Sequence, residues 1–246
     1  MWKIWDFIKQ IFRGKTISRI LFNWQVKEHC KGLQGVCVDL AGGKHPSYEE
    51  YWDLKCERPA RLNDSSLGGF IKTAYDPKDE PDVVVDLNKP IPFEDNFADN
   101  IFLFNAIYIL EEPKESLREV FRILKPGGKL FLSSPFVNNE MPEPHDYWRF
   151  TAEGLEKILK EAGFRKNLEA LPLNDSRGGD SKSNIEIIRL GERFTSRAYL
   201  LHGFFTLNIV RLISYTLALL FDKILIPPKI KKLHPCPVGY FVIAIK

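Results

Sequence analysis

Two rhythms of apolar and polar positions divide the 246 residues. Trp2, Ile4, Trp5, Ile8, Ile11 and Phe12 recur at helical spacing, and Ile17, Ile20, Leu21, Trp24 and Val26 continue it. The spacing predicts two helices over residues 1–32, parted at Gly14. Val36-Cys37-Val38 then leads into Asp39 as a buried strand, Ala41-Gly42-Gly43 makes a tight turn, and Pro46 to Leu54 reads as a helix. Residues 57–69 read as a loop. Short strands follow at Phe70–Tyr75 and Asp82–Asp86, and a fully apolar one at Asn100–Asn105. Pro113 to Leu124 is a helix with Leu117, Val120, Phe121 and Leu124 on one face, stopped by Lys125-Pro126-Gly127-Gly128. A strand spans Lys129–Ser134, and Thr151 caps a helix that runs to about Ala162 and ends at Gly163. Beyond a polar loop at 173–183, a strand at Asn184–Leu190, one or two apolar helices over Thr195–Lys223 and a closing strand at Val238–Ile245 complete the chain.

Strands alternating with helices, several of them continuous apolar runs, imply an α/β fold with a mainly parallel sheet covered on both faces. Residues 1–32 form a helical appendage, and 33–246 form one domain with a helical insertion at about 191–235. Ligands bind such sheets at the carboxyl ends of the strands. Those ends carry Asp39, Asp76, Asp86, Asn105 and the 134–149 segment. Asp and Asn are common wherever strands end, so the convergence of five polar ends matters more than any one. The turn after Asp39 is built of small residues, which let a backbone approach a ligand closely.

Composition narrows the class. Hydrophobic content of 44% with 27% charged residues is that of a soluble globular chain, and a net charge of +3 is too small to argue for nucleic acid. Cys30, Cys37, Cys56 and Cys236 form no C-x-x-C pair and no metal spacing. They point to a reducing, cytoplasmic setting with no disulfide framework and no metal site, with Cys37 as a core filler. No leader peptide and no apolar stretch of membrane-spanning length is evident. The first 32 residues hold seven Lys and Arg against Asp6 and Glu28. Such basic amphipathic helices either lie peripherally on the inner membrane surface or cover the sheet and cap a cleft; the second is the commoner use. The apolar helices at 195–223 read as a substrate lid, a homodimer contact or a membrane contact.

Five stretches together resemble the class I S-adenosylmethionine-dependent methyltransferases, in the branch often associated with cell-surface glycan genes. They are Val38–Gly43, Pro81–Phe93, Asp95–Asp99, Leu117–Gly128 with its Arg122-Ile123-Leu124-Lys125-Pro126-Gly127-Gly128 ending, and Pro144–Thr151. The resemblance covers residues 33–165 and the final strand. It implies a Rossmann-like, seven-stranded sheet with an antiparallel last strand, and S-adenosyl-L-methionine as cofactor. Carried over, Asp39, Ala41, Gly42 and Gly43 would line the methionine end, Asp86 with the Leu87 backbone would address the adenine, and Asn105 would lie under the methionine moiety. Three positions depart from the pattern. Ala41 replaces the first motif glycine, Ala74 stands where an acid usually holds the ribose, leaving Asp76 to substitute, and Ile107–Pro113 lacks a histidine found in many relatives.

Methyl transfer to an alcohol needs a base for the departing proton. His145 is the candidate, with Asp146 to orient it. Tyr147 would stack on a sugar ring, and Arg149 would hold an anionic group. The same segment also reads as a structural clasp, with Trp148 and Phe150 packed and Arg149 paired to an acid such as Glu153. The leading expectation is O-methylation of a small acceptor such as a sugar or glycan precursor. The alternatives are a non-catalytic scaffold that keeps the fold, or a methyltransferase acting on a membrane-embedded lipid or quinone.

Overall fold

The computed structural model describes residues 2–44, 46, 48–56, 69–141, 145–164, 184–201, 207–228, 231 and 235–246. The loops expected at 57–68 and 173–183 lie outside the described residues. Seven strands form one sheet in the order β5 (Val83–Val84), β4 (Phe70–Ala74), β2 (Cys37–Leu40), β6 (Ala98–Phe104), β7 (Leu124–Pro135), β9 (Gly239–Ile245), β8 (Ile185–Leu190). Only β9 runs against its neighbours, pairing antiparallel with both β7 and β8. This is the expected α/β, Rossmann-like sheet with an antiparallel last strand. A small parallel pair, β1 (Lys31–Leu33) with β3 (Asp53–Leu54), lies apart.

The period of two sorts the sheet into an aliphatic and an aromatic face. Ile101 and Leu103 of β6 and Leu130 and Leu132 of β7 point to one side. There they meet Leu117 and Val120 of α3 (Pro113–Ile123) and Leu155 and Leu159 of α4 (Ala152–Ala162). Phe102 and Phe104, Phe131 of β7 and Phe241 of β9 point to the other. This aromatic face is covered by α2 (Ile17–His29), whose Phe22 ring sits edge-on to Phe104 at 5.0 Å. The opposite face of α2 presents Ile17 and Ile20 to a second helical layer, α1 (Trp2–Phe12), α5 (Arg193–Leu200) and α6 (Asn208–Ile224). Gly14, at a φ of +73°, parts α1 from α2 as the spacing requires. The helical caps follow the sequence too: Thr16 accepts from Arg19 N, and Thr151 accepts from Gly154 N.

The helix expected over Pro46–Leu54 is absent among the described residues. A turn at 48–51 and the two-residue β3 stand there instead. Tyr48, Tyr51 and Trp52 have the spacing of a helix face, but they pack into the aromatic layer, Trp52 against Phe102 at 4.9 Å. The four cysteines are free, and Cys37 and Cys56 bring their sulfurs to 2.7 Å.

Candidate functional site

The chain leaves β2 toward β4 and β5 on one side, and returns to β6 and β7 on the other. The carboxyl ends of β2 and β6 therefore bracket the crevice where the strand order reverses. Asp39 lies on β2, wholly buried and facing the aromatic layer with Cys37. The Tyr48 hydroxyl donates to both of its carboxyl oxygens, at 3.2 and 2.9 Å. Among the described residues no cation pairs with it. Burial pushes the Asp39 carboxyl up to about 8, against the smaller opposing pull of the Tyr48 hydrogen bond. The Lys72 charge also pulls it down, and a positive charge arriving beside the carboxyl would favour its ionised form further.

The turn after β2 wraps this carboxyl. Gly42 N donates to Thr73 O at 3.2 Å, tying the turn to β4. A Cβ at Gly42 would fall 2.2 Å from an Asp39 carboxyl oxygen, so only glycine fits. Ala41 takes the left-handed conformation, with a φ of +67°, that usually belongs to glycine. Gly43 also has positive φ. The departure at Ala41 is therefore accommodated by backbone strain, without a wider turn.

The other predicted contacts line the same edge. Asp86, just past β5, accepts from Asn88 N at 3.0 Å and pairs with the exposed Lys89 at 3.1 Å. Leu87 is buried, and its carbonyl accepts from Ser116 Oγ. Asn105 ends β6 with a φ of +51°, its N–H donating to Ser133. Asp76 is exposed and caps the short turn Pro77–Asp79 through Lys78 N. Ala74 is buried and offers no polar side chain, so the ribose position has the thinnest support of the set.

A cavity of about 190 Å³ opens beside this edge. Its floor is Asn105, Ser134 and Gly239, and the first turn of α2 forms its roof with Tyr199. Arg19 reaches into it from α2. No carboxylate pairs with that guanidinium among the described residues; it sits over the Phe22 ring at 5.3 Å. Burial pulls Arg19 below the usual guanidinium range, with Tyr48, Tyr199 and Tyr108 acting the other way. Burial raises the phenols of Tyr108 and Tyr199, so both are hydrogen-bond donors there at neutral pH, not bases. The sequence pattern missed Arg19, Tyr108, Tyr199 and Tyr48. Arg19 is one of the seven basic residues among the first 32, and its spacing does not set it apart from the others.

The 145–149 segment follows β7 but does not line the cavity. His145 is exposed and stacks on Tyr147, ring centroids 5.1 Å apart. Asp146 does not orient His145. Both its oxygens meet Arg149 in a bidentate pair, and Met141 N donates to it at 2.8 Å. Arg149 thus pairs with Asp146, not Glu153, and its planar fork is already filled. Trp148 donates to Leu110 O at 2.8 Å, and Phe150 is buried. The clasp is real, and His145 and Tyr147 project from it.

A family model described as "Methyltransferase domain" matches residues 68–132. A demethylmenaquinone methyltransferase from Renibacterium salmoninarum is 32% identical over 96 residues, 39% of each chain. The chain thus covers well under half of that relative. A SAM-dependent methyltransferase from Archaeoglobus fulgidus aligns in structure over 94% of this chain and 92% of its own, with a TM-score of 0.50 and 14% identity. A phosphoethanolamine N-methyltransferase from Haemonchus contortus, in complex with S-adenosyl-L-methionine, aligns over 91% of this chain and 52% of its own, with a TM-score of 0.51 and 14% identity. The structural likenesses establish the fold.

Proposed function

We propose that the protein is an S-adenosylmethionine-dependent methyltransferase that methylates a hydroxyl on a small acceptor such as a sugar or glycan precursor. The observation that carries this reading is the buried Asp39 carboxyl, paired with no cation among the described residues and wrapped by the Ala41-Gly42-Gly43 turn at the switch in strand order. A neutral acid enclosed by backbone fits the ammonium end of an amino-acid ligand, which would draw the carboxyl to its ionised form. Asp39 and the turn would hold that end, Asn105 would lie beneath it, and Asp86 with Leu87 would take the adenine. Asp76 is the acid that follows the ribose position in sequence, and it would serve with the carboxyl oxygen that Lys78 N does not engage. S-adenosylmethionine supplies an electrophilic methyl group on a sulfonium.

The chain's own residues must then position the acceptor, and positioning alone supplies much of the rate. Arg19 binds an anionic group of the acceptor, a phosphate or a carboxylate, because it lines the cavity and no carboxylate pairs with it among the described residues. His145 would accept the hydroxyl proton only from an acceptor that extends beyond the cavity, which the 145–149 segment does not line; its ring is exposed and holds no hydrogen bond among the described residues. Tyr147 offers the adjoining stacking surface. Arg149 serves the segment through Asp146 and not the acceptor directly.

A second reading places the methyl group on a quinone or lipid. It draws on the demethylmenaquinone methyltransferase relative and on the apolar surface of the outer helices. Isothermal titration with S-adenosylmethionine tests what the two share. Saturable one-to-one binding is expected. A folded chain that binds none would be a scaffold and not an enzyme of this kind.

A further inference from the structure

We propose that the exposed faces of α1 and α6 together dock the protein on an anionic lipid bilayer. Along α6, Ile209, Ile213, Leu217, Leu220 and Ile224 recur every three or four residues, and all are exposed. Such a stripe normally faces a core. Beside it, α1 presents Trp5, 73% exposed, and Phe12. Asn208 at the start of α6 donates to Phe12 O at 3.4 Å, so the two stripes adjoin. An apolar surface of this continuity on a water-soluble fold marks an interaction site.

Charge selects the occupant. The acids within the two helices turn inward. Asp6 accepts from Gln10, Trp24 and Tyr51. Asp222 is buried and accepts the N–H groups of Glu192, Phe194 and Thr195 at the start of α5. The nearest exposed acids are already paired, Glu28 with Lys3, and Glu50 with Lys9 and Arg13. In sequence, residues 1–32 and 193–232 hold 14 Lys and Arg against 3 Asp and Glu; the rest of the chain holds 21 against 29. Of those 14, Lys3, Lys9 and Arg13 are paired with Glu28 and Glu50 and Arg19 lines the cavity, and the excess positive charge that remains lies in the same stretches of sequence as the apolar face. A second copy of this chain would bring the same excess against it, whereas an anionic bilayer complements both features. Among the described residues no helix is long and apolar enough to cross a membrane, so the helices lie on the surface. The face is one helix away from the cavity. Ile17 and Ile20 of α2 pack beneath α1 and α6, and the first turn of the same helix carries Arg19. Docking would therefore bring the cavity close to amphiphilic acceptors, a consequence that rests on the methyltransferase reading, although the docking itself does not.

The test is flotation of the full chain with phosphatidylcholine vesicles, with and without phosphatidylglycerol. The chain should rise with the anionic vesicles and remain behind with the neutral ones. Trp5→Glu combined with Ile213→Glu should lower the floated fraction at least about tenfold, the loss expected from withdrawing two inserted apolar side chains. Both positions are solvent-exposed, so the variant should melt like the parent. No flotation of the parent, undiminished flotation of a folded variant, or a stable dimer by light scattering that the variant abolishes would each overturn the proposal. S-adenosylmethionine titration of the same samples separates the two ideas, because a chain that floats but binds no cofactor keeps the docking and loses the proposed chemistry.

Discussion

Replacing Asp39 with Asn tests the central group of the site. Asp39 is fully buried, and its carboxyl is raised from 3.8 to about 8, mainly by burial. In the folded chain it holds a proton that the unfolded chain releases above its ordinary pKa. Its contribution is therefore complete below about pH 4 and is lost as the pH rises through the window up to about 8. The loss is about 1.4 kcal/mol per pH unit, because one unit of pKa difference is worth that much. At pH 7, roughly three units above the ordinary value, Asp39 costs the free protein about 4 kcal/mol relative to a neutral side chain. Asparagine removes this cost, and its oxygen can still accept from Tyr48. Its amide N–H groups are new buried donors, and leaving them unmet returns about 1–3 kcal/mol. The net gain at pH 7 is about 1–3 kcal/mol, or roughly 3–10 °C in Tm for a chain of this size.

The assay is the difference in Tm between variant and parent, followed from about pH 5 to 8 without ligand. It should widen steadily with pH in favour of Asn. Cofactor affinity should move the other way. An amide cannot ionise against an ammonium, and loss of one charge-assisted hydrogen bond is worth about 1.5–3 kcal/mol, or roughly 10–150-fold. A Tm difference that stays flat with pH would mean that Asp39 is ionised in the free protein, and the argument from its burial would fail. A more stable variant that binds S-adenosylmethionine as well as the parent would leave the burial argument standing and remove Asp39 from the cofactor.

Ala41→Gly relieves the left-handed strain at φ +67°. The strain costs about 1–2 kcal/mol and the added freedom of the unfolded chain returns about 0.4–1, so scanning calorimetry should find Tm raised by roughly 1–4 °C; a lower Tm would show that the turn needs a side chain. Once a panel of sugars and sugar phosphates has supplied a working acceptor, steady-state kinetics of two variants divides the roles at the cavity. Arg19→Gln should raise KM for a phosphate- or carboxylate-bearing acceptor at least about tenfold with kcat retained, and His145→Ala should cut kcat by about 100-fold or more with cofactor binding intact. An unchanged KM removes Arg19 from acceptor binding, and an unchanged kcat removes His145 as the base.

The fold could be read from sequence where local pattern and burial agree. Residues 101–104 are apolar on both faces because β6 lies at the centre of the sheet, and Thr151 and Gly163 bracket α4 by local capping alone. Pattern misled at 46–54, where Tyr48, Tyr51 and Trp52 have helical spacing but answer to the aromatic layer of strands far along the chain. Arg19 was invisible for a related reason. Nothing next to it in sequence distinguishes an arginine in solvent from one turned into a cavity made by β6, β7 and β9.

The stretch that matches the methyltransferase domain model, 68–132, has a definite physical content. Arg122 donates to the carbonyls of Ile91 and Phe93 and pairs with Asp95 and Glu119. Asp99 accepts from Val36 N and pairs with Lys125. These polar joints fasten the proline-bearing connection and α3 to the edge of β2 and β6. They brace the amino ends of β2, β6 and β7, the edge opposite the turn after Asp39, and they touch no part of the cavity. The cavity takes its lining from 16–22, 105–108, 134–141, 190–199 and 238–240, which lie outside the matched stretch apart from Asn105 and Tyr108. The match of the domain model to 68–132 therefore covers part of the sheet with Asp76, Asp86, Leu87 and Asn105, and little of the cavity. On the methyltransferase reading, the acceptor would be set by Arg19, Tyr108, Tyr199 and their neighbours, where a guanidinium that no carboxylate pairs among the described residues favours an anionic molecule.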